Sequence, residues 1–195
     1  MAAPRPELPL DWSLERRTGL PDALRVLLEE YPKEGWERDP GFSGLLRFWL
    51  DRHIMFRELS ERLVAEGRTF LDDQGEVEQL KANISRFGGL FVNELHGHHH
   101  IEDAHYFPML VQHDARLVRG FALLDADHHA IDPQLSIIVD AANGVLQSDG
   151  AGLRDATAAL QTVLERFDGL LNRHLQDEEE LCVPVVLRYG EQGVG

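Results

Sequence analysis

At 195 residues the chain is long enough for one domain with a sizeable core, and its 43% apolar and 27% charged residues are those of a folded globular protein rather than a disordered one. A formal charge of −15 argues against a nucleic-acid-binding face or a surface for anionic lipid, and no apolar run reaches the ~20 residues that a membrane span requires. The single cysteine, Cys182, excludes an internal disulfide, and the opening MAAPRPELPLDW has no signal-peptide apolar stretch, so a cytoplasmic protein is expected.

Residues 1–19 hold three prolines and little periodicity, which reads as an arm packed on the surface. Pro21 opens a short helix expected to end near Glu30, with Leu24, Leu27 and Leu28 on one side. Pro32, Gly35 and Pro40 break residues 31–41 into a loop. The first long helix is expected from Phe42 to Ala65, with Leu45, Leu46, Trp49, His53, Phe56, Leu59 and Leu63 along one stripe and Gly67 as its stop. The second begins at Asp72 or Asp73. Its stripe runs through Val77, Leu80, Ile84, Phe87, Phe91, Glu94 or Leu95, His98, Glu102 and His105 until Pro108 kinks or ends it. The third starts around Asp114 and carries Leu117, Phe121, Leu124, His128, Leu135, Ile138 and Val139. Pro133 lies inside it, at a cost of about 3 kcal/mol in a regular helix, and is expected to kink it. After a connection at 144–152 the fourth helix spans Leu153 to Arg188, through Leu160, Leu164, Phe167, Leu171, His174, Glu178 and Leu181, with Pro184 kinking its last turns. No segment reads as a strand. The expected fold is all-α: an up-down-up-down four-helix bundle over 42–190, preceded by an arm, a short helix and a loop over 1–41.

Ten histidines are the compositional outlier. His98 with Glu102 and His174 with Glu178 are spaced four apart, so each pair lies on one face of a helix. Roughly one such pair is expected by chance in this composition, so spacing alone says little. Position says more. Both pairs fall on the apolar stripe of a long helix, and His53 and His128 occupy the stripes of the other two. Burying four imidazoles and two carboxylates without a cation would be expensive, whereas imidazole nitrogen and carboxylate oxygen are good ligands for iron, manganese or zinc.

The order His, HxxxE, His, HxxxE, and the phrases HHHIEDAHYFP, LDADHHAID and HLQDEEELCVP, resemble the hemerythrin-like (HHE) cation-binding domain over roughly residues 42–190. That resemblance implies a left-handed four-helix bundle with two non-haem irons in an oxo-bridged, carboxylate-bridged centre; other divalent metals remain alternatives. It implies His53 as the first-helix ligand, His98 and His174 as terminal ligands, Glu102 and Glu178 as bridges, and His128 as the third-helix ligand. Oxygen-carrying members have a second histidine four residues after the third-helix one, where this chain has Asp132. Asp132 is therefore either a carboxylate ligand or turned away by Pro133, with Tyr106 or water in its place, and Glu179 competes with Glu178 as bridge.

Of the remaining histidines, His105 lies two turns beyond His98 and, with Tyr106, is a candidate proton donor. His99 and His129 sit about 100° round from their neighbours and are expected not to be ligands. Asp103 and Asp125 are candidates to orient imidazoles. Phe56, Phe91, Leu95 and Leu171 are expected to line a dry pocket. The expected ligand is a small diatomic molecule or peroxide, and the Asp132 departure favours sensing, or peroxide and nitric-oxide chemistry, over oxygen carriage. Two other readings stand: a ferritin-like carboxylate oxidase using Glu102–His105 and Asp125–His128, and a metal-free helical interaction domain. HExxH is absent, which argues against a metalloprotease.

Overall fold

The structure, a computed structural model, describes residues 7–190; the first six residues of the expected arm lie outside the described part. Regular structure among the described residues is entirely helical. The long elements are α1 (Gly44–Leu71), α2 (Val77–Asn83), α3 (Gly89–Ile101), α4 (Phe107–Leu110), α5 (Val118–Gln147) and α6 (Gly150–Tyr189). None of these helices is long and apolar enough to cross a membrane. From α2 to α4 the backbone stays helical, joined by two wide turns of π geometry at Ile84–Gly88 and Glu102–Tyr106. The chain divides into two compact units, one made of the residues up to His53, His99–Ala130 and those from Asn172, the other of Ile54–His98 and Ile131–Leu171.

The second unit is an apolar core built on helical periodicity. Phe56, Leu59 and Leu63 of α1, Leu80, Ile84, Phe91 and Leu95 of the α2–α3 run, Ile131, Leu135 and Ile138 of α5, and Leu160, Leu164, Phe167 and Leu171 of α6 are all buried. Phe91 and Phe167 meet edge to face, with ring centroids 5.9 Å apart. Gly67 does not stop α1, which runs six residues past the expected end at Ala65 to Leu71. Its missing side chain instead admits the Gln161 amide against the helix. The turn after α1 is made by Asp73, whose φ of 58° lies in the left-handed region. Pro133 neither ends nor replaces α5. It and His129, whose carbonyl loses its helical donor, lie on the exposed face, where water can satisfy the orphaned oxygen.

The first unit gathers the arm around the end of α6. From Leu181 to Leu187 every α6 residue is buried, so this stretch is covered on all sides. Leu20, Leu24, Leu27 and Trp36, from the segment that follows the expected arm, pack into the same core as Leu46, Phe107, Leu110, Phe121 and Leu124. Within the expected arm Leu14 and Arg17 are buried as well, so it is not confined to the surface. The expected helix from Pro21 to Glu30 is only a single 3-10 turn, Asp22–Leu24, followed by irregular turns. Ten residues from Pro21 to Glu30 give too few internal hydrogen bonds to repay helix nucleation.

The wide turn at Glu102–Tyr106 resets the helical phase beside the candidate site. Glu102 and Phe107, five residues apart, are both buried, whereas His105 faces outward. A regular helix would have brought His105 or Tyr106 round instead.

Candidate metal centre

Three imidazoles of the first unit share one arrangement. His53 on α1, His128 on α5 and His174 on α6 are buried, and each turns its Nδ1 toward a carboxylate. His53 Nδ1 lies 3.2 Å from Glu179 Oε1, His128 Nδ1 2.8 Å from Asp103 Oδ1, and His174 Nδ1 3.3 Å from Asp127 Oδ2. A carboxylate only accepts, so the ring proton sits on Nδ1 and each Nε2 keeps its lone pair for the interior. Burial also lowers the His174 pKa, although Asp127 opposes the shift, and so favours the neutral ring that a metal needs.

The carboxylates complete the interior. Glu178 is fully buried, with Oε2 3.5 Å from His53 Nε2 and 3.4 Å from His174 Nε2. Burial, and then the negative charge of Glu102, push its pKa well above the ordinary carboxylate value. Glu102, 1% exposed, places Oε2 3.8 Å from His128 Nε2 and accepts a 2.6 Å hydrogen bond on Oε1 from Trp49 Nε1. His128 Nε2, His174 Nε2 and both Glu178 oxygens are buried without a hydrogen-bond partner. Orphaned acceptors converging in a dry interior cost free energy unless a cation lies between them. The residues present fit a metal on that ground.

Two ligand groups can be drawn. Within the first unit, His53, Glu102 and Glu178 each offer one atom, all within 4.8 Å of one another; His99, His128 and His174 do the same. His98 is fixed one turn before Glu102 by the unbroken helix and is half-buried, its ring 5.1 Å from that of Phe56. Glu178 is the inward carboxylate, whereas Glu179 faces the Nδ1 side of His53 and pairs with Lys33 at 3.0 Å.

Several expectations are corrected. Asp132 joins neither group: it lies on the exposed side of α5, 3.5 Å from His96 Nδ1. The helix runs on continuously through Pro133, and Asp132 is turned away from the interior. His99, expected to be a bystander, is 2% exposed and stacks on His128 with ring centroids 4.0 Å apart. His105 is exposed, which removes it as an interior proton donor and leaves the ferritin-like Glu102–His105 pair without its histidine. Asp125 lies beside His129, whose Nδ1 donates to the Asp125 carbonyl at 2.7 Å, while the His128 ring is oriented by Asp103. Phe56, Phe91, Leu95 and Leu171 are fully buried in the second unit. The cavity that reaches Glu102 has a volume of about 30 Å³ and is walled by Leu46, Trp49, Tyr106, Leu110, Cys182 and Val186.

The least foreseeable element is the support behind His174. Arg17, 8% exposed, forks onto both oxygens of Asp127 and donates from Nε to Asp177 at 2.7 Å. Burial alone would raise the Asp127 pKa, but hydrogen bonds from His174 and Arg17 overcome it and lower the pKa. The only sequence signal is an arginine in a leucine-spaced arm (Leu14, Arg17, Leu20, Leu24), which does not point to aspartates 110 and 160 residues away.

Comparison with known proteins gives one finding: the hemerythrin HHE cation-binding domain model matches residues 44–186. No curated protein and no solved structure gives a match.

Proposed function

The chain belongs to the hemerythrin HHE cation-binding family, and we propose that it binds two iron ions, which Glu102, Glu178 and the buried imidazoles would hold, and exposes them to dioxygen, peroxide or nitric oxide. The observation that carries this reading is the convergence of buried Nε2 and carboxylate atoms that have no hydrogen-bond partner. Neutral imidazole with carboxylate is a donor set suited to iron. Thiolate is absent from it, and Cys182 is held as a neutral thiol by burial and by the charges of Glu178 and Glu102. The long helices suit an up-down-up-down bundle, and the lone buried cysteine suits a reducing cytoplasm.

When bound, an iron pair supplies one-electron redox steps and an open coordination position. The protein's own residues do the rest. Asp103, Asp127 and Glu179 hold the imidazoles at their Nδ1 protons, so each Nε2 is presented without rotation. Trp49 fixes one oxygen of Glu102 by its 2.6 Å bond and leaves the other turned inward. Glu178, protonated more readily than an ordinary carboxylate, gives up its proton as a cation binds. The apolar cavity beside Glu102, at about 30 Å³, has room for a molecule the size of a water or a diatomic gas. Tyr106 and Cys182 are the proton-bearing side chains in its wall, which suits small-molecule redox chemistry or sensing.

The test is to load the chain with iron anaerobically and record its absorption before and after adding oxygen, peroxide or nitric oxide. A near-ultraviolet band that changes with at least one of them is expected. A colourless protein that ignores all three, and whose melting temperature ignores chelators, would leave the metal-free interaction domain as the reading.

A further inference from the structure

We infer that the segment ahead of α1, residues 7–43, is a working part of the metal centre. Arg17 and Lys33 are positioning residues that act on His174 and His53 through the carboxylates behind them, so filling the centre and docking the segment are one linked equilibrium. This rests on the metal-centre reading above and extends it to residues that lie ahead of the matched range 44–186.

Of the three carboxylates that face imidazole Nδ1 atoms, two are buried and one is not. Asp103, behind His128, has a side chain 30% exposed, and water screens its charge. Asp127 and Glu179 are only 3% and 6% exposed, and a carboxylate so buried needs a counter-charge to stay in place. The segment supplies both. Arg17 donates from Nη1 to Asp127 Oδ1 at 2.7 Å and pairs through Nη2 with Oδ2, the oxygen that lies 3.3 Å from His174 Nδ1. Its Nε donates to Asp177 at 2.7 Å, so one guanidinium ties α5 to α6 across the back of that imidazole. Lys33 Nζ donates to Glu179 Oε2 at 3.0 Å, while Oε1 of the same carboxylate lies 3.2 Å from His53 Nδ1. Lys33 is half exposed, where an ion pair alone is weak, but the buried Trp36 ring lies 5.5 Å from its ammonium and holds it from the other side.

Two cations from separate turns of the segment thus end on the two buried carboxylates that hold imidazoles. Attachment alone would be served by any ion pair, such as the partly exposed one between Arg188 and Glu30, which touches neither an imidazole nor its carboxylate. If the segment lifts at these two points, Asp127 and Glu179 lose the charge that keeps them aimed, and the rings they hold are free to turn. A metal needs both Nε2 atoms presented inward, so it binds the docked form more tightly. By reciprocity it then holds the segment down by the same factor.

Hydrogen exchange of the full chain, metal-free and loaded with Zn(II), tests this, with bound zinc measured by competition against a chromogenic chelator. Amides around Arg17 and Lys33 are expected to exchange about 10–100-fold more slowly once zinc is bound. Those of the link between α1 and α2, residues 72–76, are expected to keep their rate. Zinc affinity should fall about 10–100-fold in Arg17→Met and up to about fivefold in Lys33→Met. It should return in Lys33→Arg and match wild type in Glu30→Gln. Segment exchange that ignores bound zinc overturns the linkage and leaves the centre intact, and so does a loss of affinity in Glu30→Gln equal to that in Lys33→Met. A wild type that binds no zinc overturns the centre itself. If Arg17→Met does not fold, the wild-type exchange and the Lys33 variants decide.

Discussion

Replacing Arg17 by methionine keeps most of the aliphatic volume and removes the charge that neutralises Asp127 and Asp177. The guanidinium has three side-chain contacts to these two carboxylates and a fourth, at 3.1 Å, to the Trp12 carbonyl, all in a buried setting. Breaking one partner of a buried ion pair typically costs about 3–5 kcal/mol, because the other charge stays behind unpaired. With roughly 2–4 °C per kcal/mol for a chain of this size, the melting temperature should fall by roughly 6–20 °C. The sign with pH follows from the carboxylates. Without Arg17, Asp127 keeps only His174 and Asp177 only Arg173 against burial, which favours their neutral form, so the deficit should be largest near pH 8 and shrink toward pH 4 as they take up protons. Metal affinity should fall as well, by about 10–100-fold, since Asp127 holds the His174 ring. Urea unfolding of the metal-free variant at several pH values, with the slope m monitored, measures this. A loss below about 1 kcal/mol, or one independent of pH, would show that the arm is not anchored through Arg17.

Glu178→Gln should stabilise the metal-free protein at neutral pH. A carboxylate whose folded pKa is raised binds a proton in the native state that the unfolded chain does not hold, so its contribution is lost as pH rises above the ordinary value of 4.5. The melting-temperature gap between Glu178→Gln and wild type should therefore widen from pH 5 to pH 8, and reverse in sign once metal is added; a gap that is flat with pH would contradict it. Phe91→Ala, in the second unit, removes a fully buried ring packed on Phe167 and should cost about 3–5 kcal/mol in thermal or urea unfolding with metal stoichiometry preserved. Trp49→Phe deletes the 2.6 Å donor to Glu102, a hydrogen bond to a charged group worth about 1.5–3 kcal/mol. It should leave two metals bound but shift the near-ultraviolet band and speed ligand exchange in stopped-flow mixing.

Helical periodicity placed His53, His128, His174 and Glu178 on buried faces, because in long regular helices a stripe of period 3.6 reads directly as burial. The errors cluster where that period breaks or where long-range pairing decides. The wide turn after Ile101 inserts a residue into the phase, so Phe107 is buried and His105 is not, and nothing local in EDAHY announces this. His99 was passed over because consecutive residues diverge by about 100° on a helix; the rule holds, but the neighbouring helices occupy both directions. Arg17, Asp127 and Asp177 come from three distant segments, and a charged residue on an otherwise leucine-spaced arm was the only sign that the arm enters the core. Gly67 and Pro133 carry breaker chemistry, yet one admits Gln161 and the other sits on a hydrated face, so tertiary context overrides their local preference.

The most direct test of the account is to count the metal. The full chain is stripped with chelator, reloaded with iron(II) under anaerobic conditions, desalted and analysed for iron per chain alongside its melting temperature. The account predicts two irons per chain and a higher melting temperature than that of the stripped protein, with both gains lost in Glu178→Gln. Recovery of no iron, with identical melting before and after loading, would contradict it.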